Sequence, residues 1–581
     1  MKIILVALNA KFIHSSLALR SIKKYSECYK DFIFIKEYTI NHDENFILGD
    51  IFKQNPDIVC FSCYIWNINQ INNISKNLKK VLPNIKIILG GPEVSYNSVE
   101  YLKENSFVDI IIRGEGEKTF KEITEWILYN KYDISDIKGI TYRNEDVIIS
   151  NDDREALNLD EIPFAYDDLS DMDNKIIYYE TQRGCPYNCK YCLSSIEKGV
   201  RFLSIERIKS DLRFFLEHKV KQVKFVDRTF NCNRSHANFI WKYIMENDNN
   251  ITNFHMEIIA DIIDDEQLEF LKNARPGLFQ FEIGVQSTNE LTISEIKRNT
   301  YFDKLSYVVK KIKEGKNIHQ HLDLIAGLPF EDYNSFKKSF DDVYYLEPEQ
   351  FQLGFLKLLK GSALKDDASK YGIVYRDTAP YEVLYTKEIS YSDMLKLKNI
   401  EEVLEVYYNS QKALNTIKYS LKFFKSPFDF YESFAQYWEK NKFFDVQHSK
   451  MELFTILYKF AKENIYEKIE VIKDFLKLDI FIGDNVKTLP DWIFIDNSDI
   501  FKSRKRLFFE DEKNIKKYMP ELENYNSKQI SRMCHIESFN YNIFEILNDN
   551  KEEKKLKTYI LFNYYNKTDI KKGAVFYNIL L

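Results

Sequence analysis

Cys185-Pro-Tyr-Asn-Cys189-Lys-Tyr-Cys192 constrains this chain more than any other stretch. Eight cysteines occur in 581 residues; three stand in this one loop and the rest are scattered. A secreted disulfide framework spreads its cysteines through a short chain, whereas one compact CxxxCxxC loop reads as a metal site in a reducing compartment. A structural zinc site takes four protein ligands, and no fourth Cys or His lies close by in sequence. A [4Fe–4S] cube has four irons, so three thiolates leave one iron open to a small-molecule ligand.

Around that loop, short apolar runs alternate with amphipathic stretches. In residues 1–150 the runs KIILVAL, DIVCFSCYI, IKIILGG and VDIIIRGEGE read as strands, with SSLALRSIKKYSECY, INQINNISKNLKKVL and KTFKEITEWIL as helices between and after them. That pattern predicts an α/β, Rossmann-like (flavodoxin-like) parallel sheet that binds ligands beyond the carboxyl ends of its strands. GITYRNEDVIIS reads as a small hairpin turning at Asn144 to Asp146, and the acidic residues 151–175 as a linker. In residues 176–390, IIYYETQRG, VKFVD, ITNFHMEII, LFQFEIGVQS, HLDLIAGLP and QFQLGFLKLL read as six strands with helices between them. They predict a partial (β/α)6 barrel whose chemistry collects at the C-terminal strand ends. Residues 391–581 read as a mainly helical, then mixed C-terminal domain with apolar runs DWIFID, YILFNYY and AVFYNILL. Its one compact reactive-looking group, Arg532-Met-Cys534-His535, reads as a buried thiol beside a hydrogen-bonded imidazole.

Composition narrows the partners. With 82 Lys+Arg against 88 Asp+Glu the net charge is −6, which argues against nucleic-acid or anionic-membrane binding. No run of 18 apolar residues suggests a membrane span. The opening MKIILVALNAKFIHSS suits a first buried strand better than a signal peptide. The expected location is the cytoplasm.

The flanks of the cysteine loop add a resemblance. Thr181-Gln-Arg-Gly-Cys185-Pro-Tyr-Asn-Cys189 resembles the T-x-R-G-C-P-x-x-C segment of the radical S-adenosylmethionine (SAM) enzymes, and Tyr191 the aromatic that shields their cluster. The resemblance implies that Cys185, Cys189 and Cys192 hold a [4Fe–4S] cluster whose open iron chelates SAM. It implies reductive cleavage of SAM to methionine and a 5′-deoxyadenosyl radical. FEIGVQS is similar to the fourth-strand motif of the oxygen-independent coproporphyrinogen enzymes. By the same resemblance Asp227 in FVDRTF would receive the SAM amino group, and Glu257 would contribute from the next strand. Glu282 and Gln286 would contact the ribose and amino-acid portions, Arg298 in EIKRNT would pair with the SAM carboxylate as a guanidinium fork, and Asp323 would act from the fifth strand.

The order of an N-terminal Rossmann-like unit, linker and barrel resembles the cobalamin-binding radical SAM subfamily. Ser62-Cys63-Tyr64, Gly90-Gly91-Pro92-Glu93 and Arg113-Gly114-Glu115-Gly116-Glu117 carry that likeness. It implies that Gly90 and Gly91 let the backbone approach cobalamin, that Ser62 bonds its dimethylbenzimidazole tail, and that Glu115 or Glu117 caps the helix starting near Lys118. The D-x-H-x-x-G motif of cobalt-ligating proteins is absent: His14 is near the expected place, but Phe12 and Leu17 stand where Asp and Gly belong. His14 is therefore expected to pack rather than ligate cobalt. The implied activity is methyl transfer to an unactivated carbon or phosphorus of a small-molecule or peptide substrate, with flavodoxin or ferredoxin as electron donor. Rearrangement or cyclisation without methyl transfer stays open, as does a non-catalytic sensor that binds cluster and cobalamin. Methylthiolation of transfer RNA is disfavoured, because the N-terminal unit lacks a three-cysteine set for a second cluster.

Overall fold

Ile3–Asn9 is apolar at all but its last position, which suits a strand buried on both faces. It forms β1 inside a seven-stranded sheet. The computed structural model describes residues 1–581 except 197–198, 487, 550–552 and 566–572. The other strands of this sheet are β2 (Ile33–Thr39), β3 (Ile58–Ser62), β4 (Lys86–Gly90), β5 (Ile110–Ile112), β6 (Ile140–Asn144) and β7 (Val147–Ser150), in the order β2-β1-β3-β4-β5-β6-β7. The first five run parallel, and β6 and β7 add antiparallel. Helices cover both faces: Ile71, Ile74 and Leu78 pack on Val59 and Phe61, while Leu19, Phe120 and Ile123 pack on Leu5 and Ile88. One feature departs from the sequence reading. The edge strand β2 was missed, because its charged middle (Lys36 and Glu37) breaks the apolar run, as edge strands often do. The expected hairpin is present as β6 and β7 and extends the sheet.

Residues 151–175 hold no strand but are not loose. Leu157, Leu159, Ile162, Tyr166 and Met172 are buried along this segment, which packs as an ordered strap.

The second sheet contains β8 (Ile177–Tyr179), β11 (Gln222–Phe225), β12 (Asn253–Ile258), β13 (Phe279–Gln286), β14 (His319–Ala326) and β15 (Gln350–Phe355), ordered β8-β11-β12-β13-β14-β15. Among the described residues β8 and β15 do not pair, so the six-stranded barrel is open. The expected single strand IIYYETQRG is two: the chain breaks after β8, and β9 (Gln182–Gly184) leaves the sheet to pair antiparallel with β10 (Val200–Phe202). The cysteine loop is the connection of that ribbon. A further ribbon, β16 (Val374–Tyr375) with β17 (Val383–Tyr385), follows β15.

The chain forms two compact units, residues 1–336 with 353–391 and residues 337–352 with 392–581. The N-terminal sheet, the strap and the barrel strands β8 to β14 therefore belong to one unit. In the second, helices such as Pro427–Lys440, Lys450–Asn464 and Ile469–Gly483 accompany an antiparallel sheet of β18 (Cys534–Tyr541), β19 (Lys555–Asn563) and β20 (Val575–Ile579). YILFNYY and AVFYNILL supply β19 and β20, but DWIFID forms no strand. Its first half is a turn closed by Ile493 N–H on the Pro490 carbonyl, and only Ile493 of its apolar residues is buried. Cys534 is buried, and His535 stacks on Phe481 at 4.4 Å with Nε2 3.2 Å from Glu537, as expected of satisfied residues.

Candidate functional site

Gly184 lets the β9–β10 ribbon close. Its φ is +95°, and a Cβ there would lie 2.1 Å from the Gly199 carbonyl oxygen. The ribbon carries Cys185 and Cys192 half-buried and Cys189 buried. The loop is pinned internally by Cys192 N–H to the Cys189 carbonyl (3.1 Å) and externally by Lys190 N–H to the Ile296 carbonyl (3.0 Å). Burial pushes the Cys189 thiol up, opposed by the nearby Arg298 guanidinium. Among the described residues no three Cys, His, Asp or Glu converge on a point suited to one metal ion. A cube does not ask for that, because each thiolate takes a different iron. Sequence distance hid a fourth thiol: Cys232 lies beside this loop, 3.6 Å from Gln182 Oε1.

Asp227 is not placed as the resemblance implied. It is fully buried; its Oδ1 accepts the N–H groups of Thr181 (2.8 Å) and Gln182 (3.1 Å), and its Oδ2 the Thr181 hydroxyl. Both oxygens hold the chain break between β8 and β9, so Asp227 anchors the cysteine loop instead of facing SAM. Burial pushes its carboxyl up to about 7 against those donors. Asp227→Ala is expected to cost on the order of 3 kcal/mol or more, since each buried donor left without an acceptor costs ~1–3 kcal/mol; denaturant unfolding reads this. Its folded pKa is raised above the ordinary 3.8, so the protonated form favours folding. That contribution is full below pH ~4 and is lost as pH rises through about 7. Asp227→Asn should flatten the fall in stability across that window; an unchanged fall contradicts the assignment.

Where β13 ends, two side chains carry a buried polar atom without a hydrogen bond. Arg298 Nη1 donates to the Tyr191 hydroxyl (3.1 Å) and Nη2 to the Gly284 carbonyl, and the guanidinium lies against the Cys189 thiol, while its Nε makes no hydrogen bond. Gln286 sits in the left-handed region (φ 71°) with its buried Oε1 unpartnered. Gly284 makes room: a Cβ there would lie 2.1 Å from Gln286 Nε2. Buried, unpaired polar atoms are costly, and here they lie beside the thiol of Cys189.

Below them the barrel interior is polar, where such barrels usually pack branched apolar side chains. Lys224 Nζ and His255 Nε2 both lie 3.0 Å from Glu282 Oε2. His321 Nε2 lies 3.0 Å from Asp323 Oδ1, and Glu282 and His321 are register partners. Against burial, His255 and Lys224 hold the Glu282 carboxyl well below its usual range. Burial pushes Glu257 up to about 7 and lowers His255, while Asp323 outweighs burial and raises His321. One histidine thus favours the neutral ring and the other the imidazolium, the separation that acid–base sites use. With Oε2 committed to the Lys224 ammonium and the His255 ring, Glu282 keeps Oε1 for a ligand. Lys224 on β11 and His321 on β14 were missed in the sequence, although both strands alternate strictly between half-buried and buried positions. His14 Nδ1 lies 2.7 Å from the hydroxyl of Tyr178, the register partner of Lys224, so His14 packs against the first barrel strand.

The N-terminal loops assign their residues differently from the likeness. Gly91 (φ +113°) is required by its own chain, since a Cβ would lie 2.5 Å from the Cys63 carbonyl oxygen. At Gly90 a Cβ would meet Ile112 Cβ at 3.6 Å, an ordinary contact. Ser62 ends β3 buried, its carbonyl accepting from Asn67 Nδ2 at 3.0 Å. Glu115 occupies the position before helix Gly116–Tyr129 but makes no side-chain cap. It pairs instead with Arg201 and Arg183 and accepts the Leu157 N–H at 3.0 Å. Glu117 accepts from Ser21 (2.9 Å) and Arg183 (2.6 Å). Past the ends of the adjacent strands β1 and β3, Phe12 (66%) and Trp66 (45%) are exposed, Trp66 stacked on Tyr64 at 4.4 Å.

Three family models match this chain: a B12 binding domain over residues 3–124, the radical SAM superfamily over 179–343, and a protein of unknown function (DUF4080) over 369–562. The order of a B12 binding domain and a radical SAM domain makes the chain similar to the cobalamin-binding radical SAM enzymes. A cobalamin-dependent radical SAM methyltransferase, TokK, of Streptomyces tokunonensis is 25% identical over 312 residues, 48% of this chain and 44% of that protein. An uncharacterized methyltransferase of Pyrococcus horikoshii is 31% identical over 195 residues, 32% of this chain and 42% of that protein. The chain thus spans less than half the length of these relatives. The structure of OxsB, a cobalamin-dependent SAM radical enzyme with aqua-cobalamin and SAM bound, shares the fold at 14% identity with a TM-score of 0.57, covering 85% of this chain and 82% of that one. Among the described residues no helix is long and apolar enough to cross a membrane.

Proposed function

We propose that this protein is a cobalamin-dependent radical SAM enzyme that transfers a methyl group to an unactivated centre of a polar small molecule or peptide. The observation that carries the reading is the placement of Cys185, Cys189 and Cys192 on one ribbon loop at the end of the first barrel strand, above a polar lumen. The residues present fit the three groups. The thiols suit an iron–sulfur cluster, the orphaned Arg298 Nε and Gln286 Oε1 await a partner such as the SAM carboxylate and ammonium, and exposed Phe12 and Trp66 suit a broad apolar face such as a corrin. Bound there, the cluster supplies an electron to SAM, and the corrinoid a methyl group.

The chain's own residues do the rest. Cys185, Cys189 and Cys192 bind the cluster. Arg298 holds Tyr191 and the Gly284 carbonyl, which fixes the wall beside Cys189. Glu257 and Asp323 offer carboxylate oxygens toward the SAM site, Glu282 its remaining Oε1, and Ser62 and Gly90 line the cobalamin side. His321 and His255 hold and accept protons at the level of Glu282, so a substrate group with an ionisable N–H or O–H is oriented there. A reduced flavodoxin or ferredoxin serves as electron donor in the cytoplasm.

The test is reconstitution under anaerobic conditions with iron, sulfide and hydroxocobalamin, followed by reduction in the presence of SAM. The expected result is 5′-deoxyadenosine above the level of a no-reductant control. SAM binding with no such product over hours would favour a sensor and contradict the enzyme.

A further inference from the structure

Glu93 and Glu117 follow adjacent strands, β4 and β5, in the two glycine-bearing loops that the family likeness turns toward cobalamin. Both are 5% exposed, and the Oε1 atom of each is already engaged. Glu93 Oε1 lies 2.8 Å from Lys360 Nζ and accepts the Tyr381 hydroxyl. Lys360 also donates to the Glu93 carbonyl (3.2 Å), with its ammonium 5.4 Å from the Tyr381 ring centre. At the other end Glu117 Oε1 takes Arg183 Nη2 at 2.6 Å. Lys360 follows β15, and Arg183 lies in β9, directly after β8. These are the two edges of the open barrel.

We propose that Glu93 and Glu117 are docking residues, which seat the N-terminal sheet across both edges of the open barrel and so fix the separation of its two cofactor sites. The inference rests on the reading above that both sites are filled. A cofactor ligand turns a free polar atom to its ligand; these buried carboxylates spend their Oε1 atoms on partly buried cations, and losing the cation strands the buried carboxylate's charge.

The test uses the full-length protein. Amide hydrogen exchange is followed in residues 92–102 and 357–364 of Glu93→Gln, Lys360→Met and the double variant. Each single variant should raise exchange in both segments at least about tenfold, and the double should add little, because the pair is one interaction. Hydroxocobalamin affinity, read by visible absorbance, should stay within about threefold in Lys360→Met and Glu93→Gln alike. Tyr381→Phe, which removes one hydroxyl, gives the same pattern at smaller size and serves if Glu93→Gln fails to fold. The proposal is overturned if Glu93→Gln weakens hydroxocobalamin about tenfold or more while exchange in 357–364 stays at the wild-type level, or if the two single effects on exchange simply add. If the wild type itself binds no hydroxocobalamin, the cofactor reading fails, and the exchange cycle alone supports or overturns the docking.

Discussion

Replacing Cys185, Cys189 or Cys192 singly by Ala should drop iron after reconstitution from about four per chain to below about one. The brown absorbance should go with it, while the protein stays folded. Each thiolate takes a separate iron, so the loss of one leaves a second iron open and the cube without its third anchor. The loop is held by other means, namely Asp227 at its root and Lys190 N–H on the Ile296 carbonyl, so the defect should be in metal retention and not in folding. Cys232→Ala is the matched control. Its thiol lies beside the loop on Gln182, and its loss should leave iron loading near the wild-type level. Equal loss in Cys232→Ala would make it a ligand; full loading in Cys192→Ala would break the three-thiolate assignment.

The second large effect is expected where no ligand is touched. Gly184→Ala places a methyl 2.1 Å from the Gly199 carbonyl at a positive φ, a contact that backbone must move to relieve. Holding a non-glycine residue at such a φ costs ~1–3 kcal/mol before the clash is counted. The β9–β10 pairing should open, and iron loading should fall several-fold although every cysteine is intact. Gly114→Ala is the comparison: its φ is also positive (+68°), but nothing lies within 4 Å of a Cβ there. It carries the conformational cost without the clash. Equal iron loading in both variants would mean that the ribbon does not position the loop.

How much of this could be read from the sequence follows from what each feature depends on. β1, β3 and β4 were visible because strands buried on both faces leave continuous apolar runs. β2 was not, since an edge strand with Lys36 and Glu37 in its middle looks like a loop. The cysteine loop was legible because its spacing is local. Asp227 was legible as a residue that matters, but its partners Thr181 and Gln182 lie across a strand break that the pattern read as one strand. The lumen groups Lys224 and His321 carried a signal in the strict alternation of β11 and β14, which sets every second side chain inward. The pairing of Glu93 with Lys360 and Tyr381 carried none, because it joins distant segments and depends on how the sheet meets the barrel.

Iron and cobalt per chain, measured on protein purified without oxygen from cobalamin-fed cells and reconstituted with iron and sulfide, test the central claim most directly. The expected values are about four iron and about one cobalt. Absence of iron under conditions that load a control enzyme contradicts the cluster assignment and the account with it; about four iron without cobalt would keep the radical SAM barrel and contradict the cobalamin half.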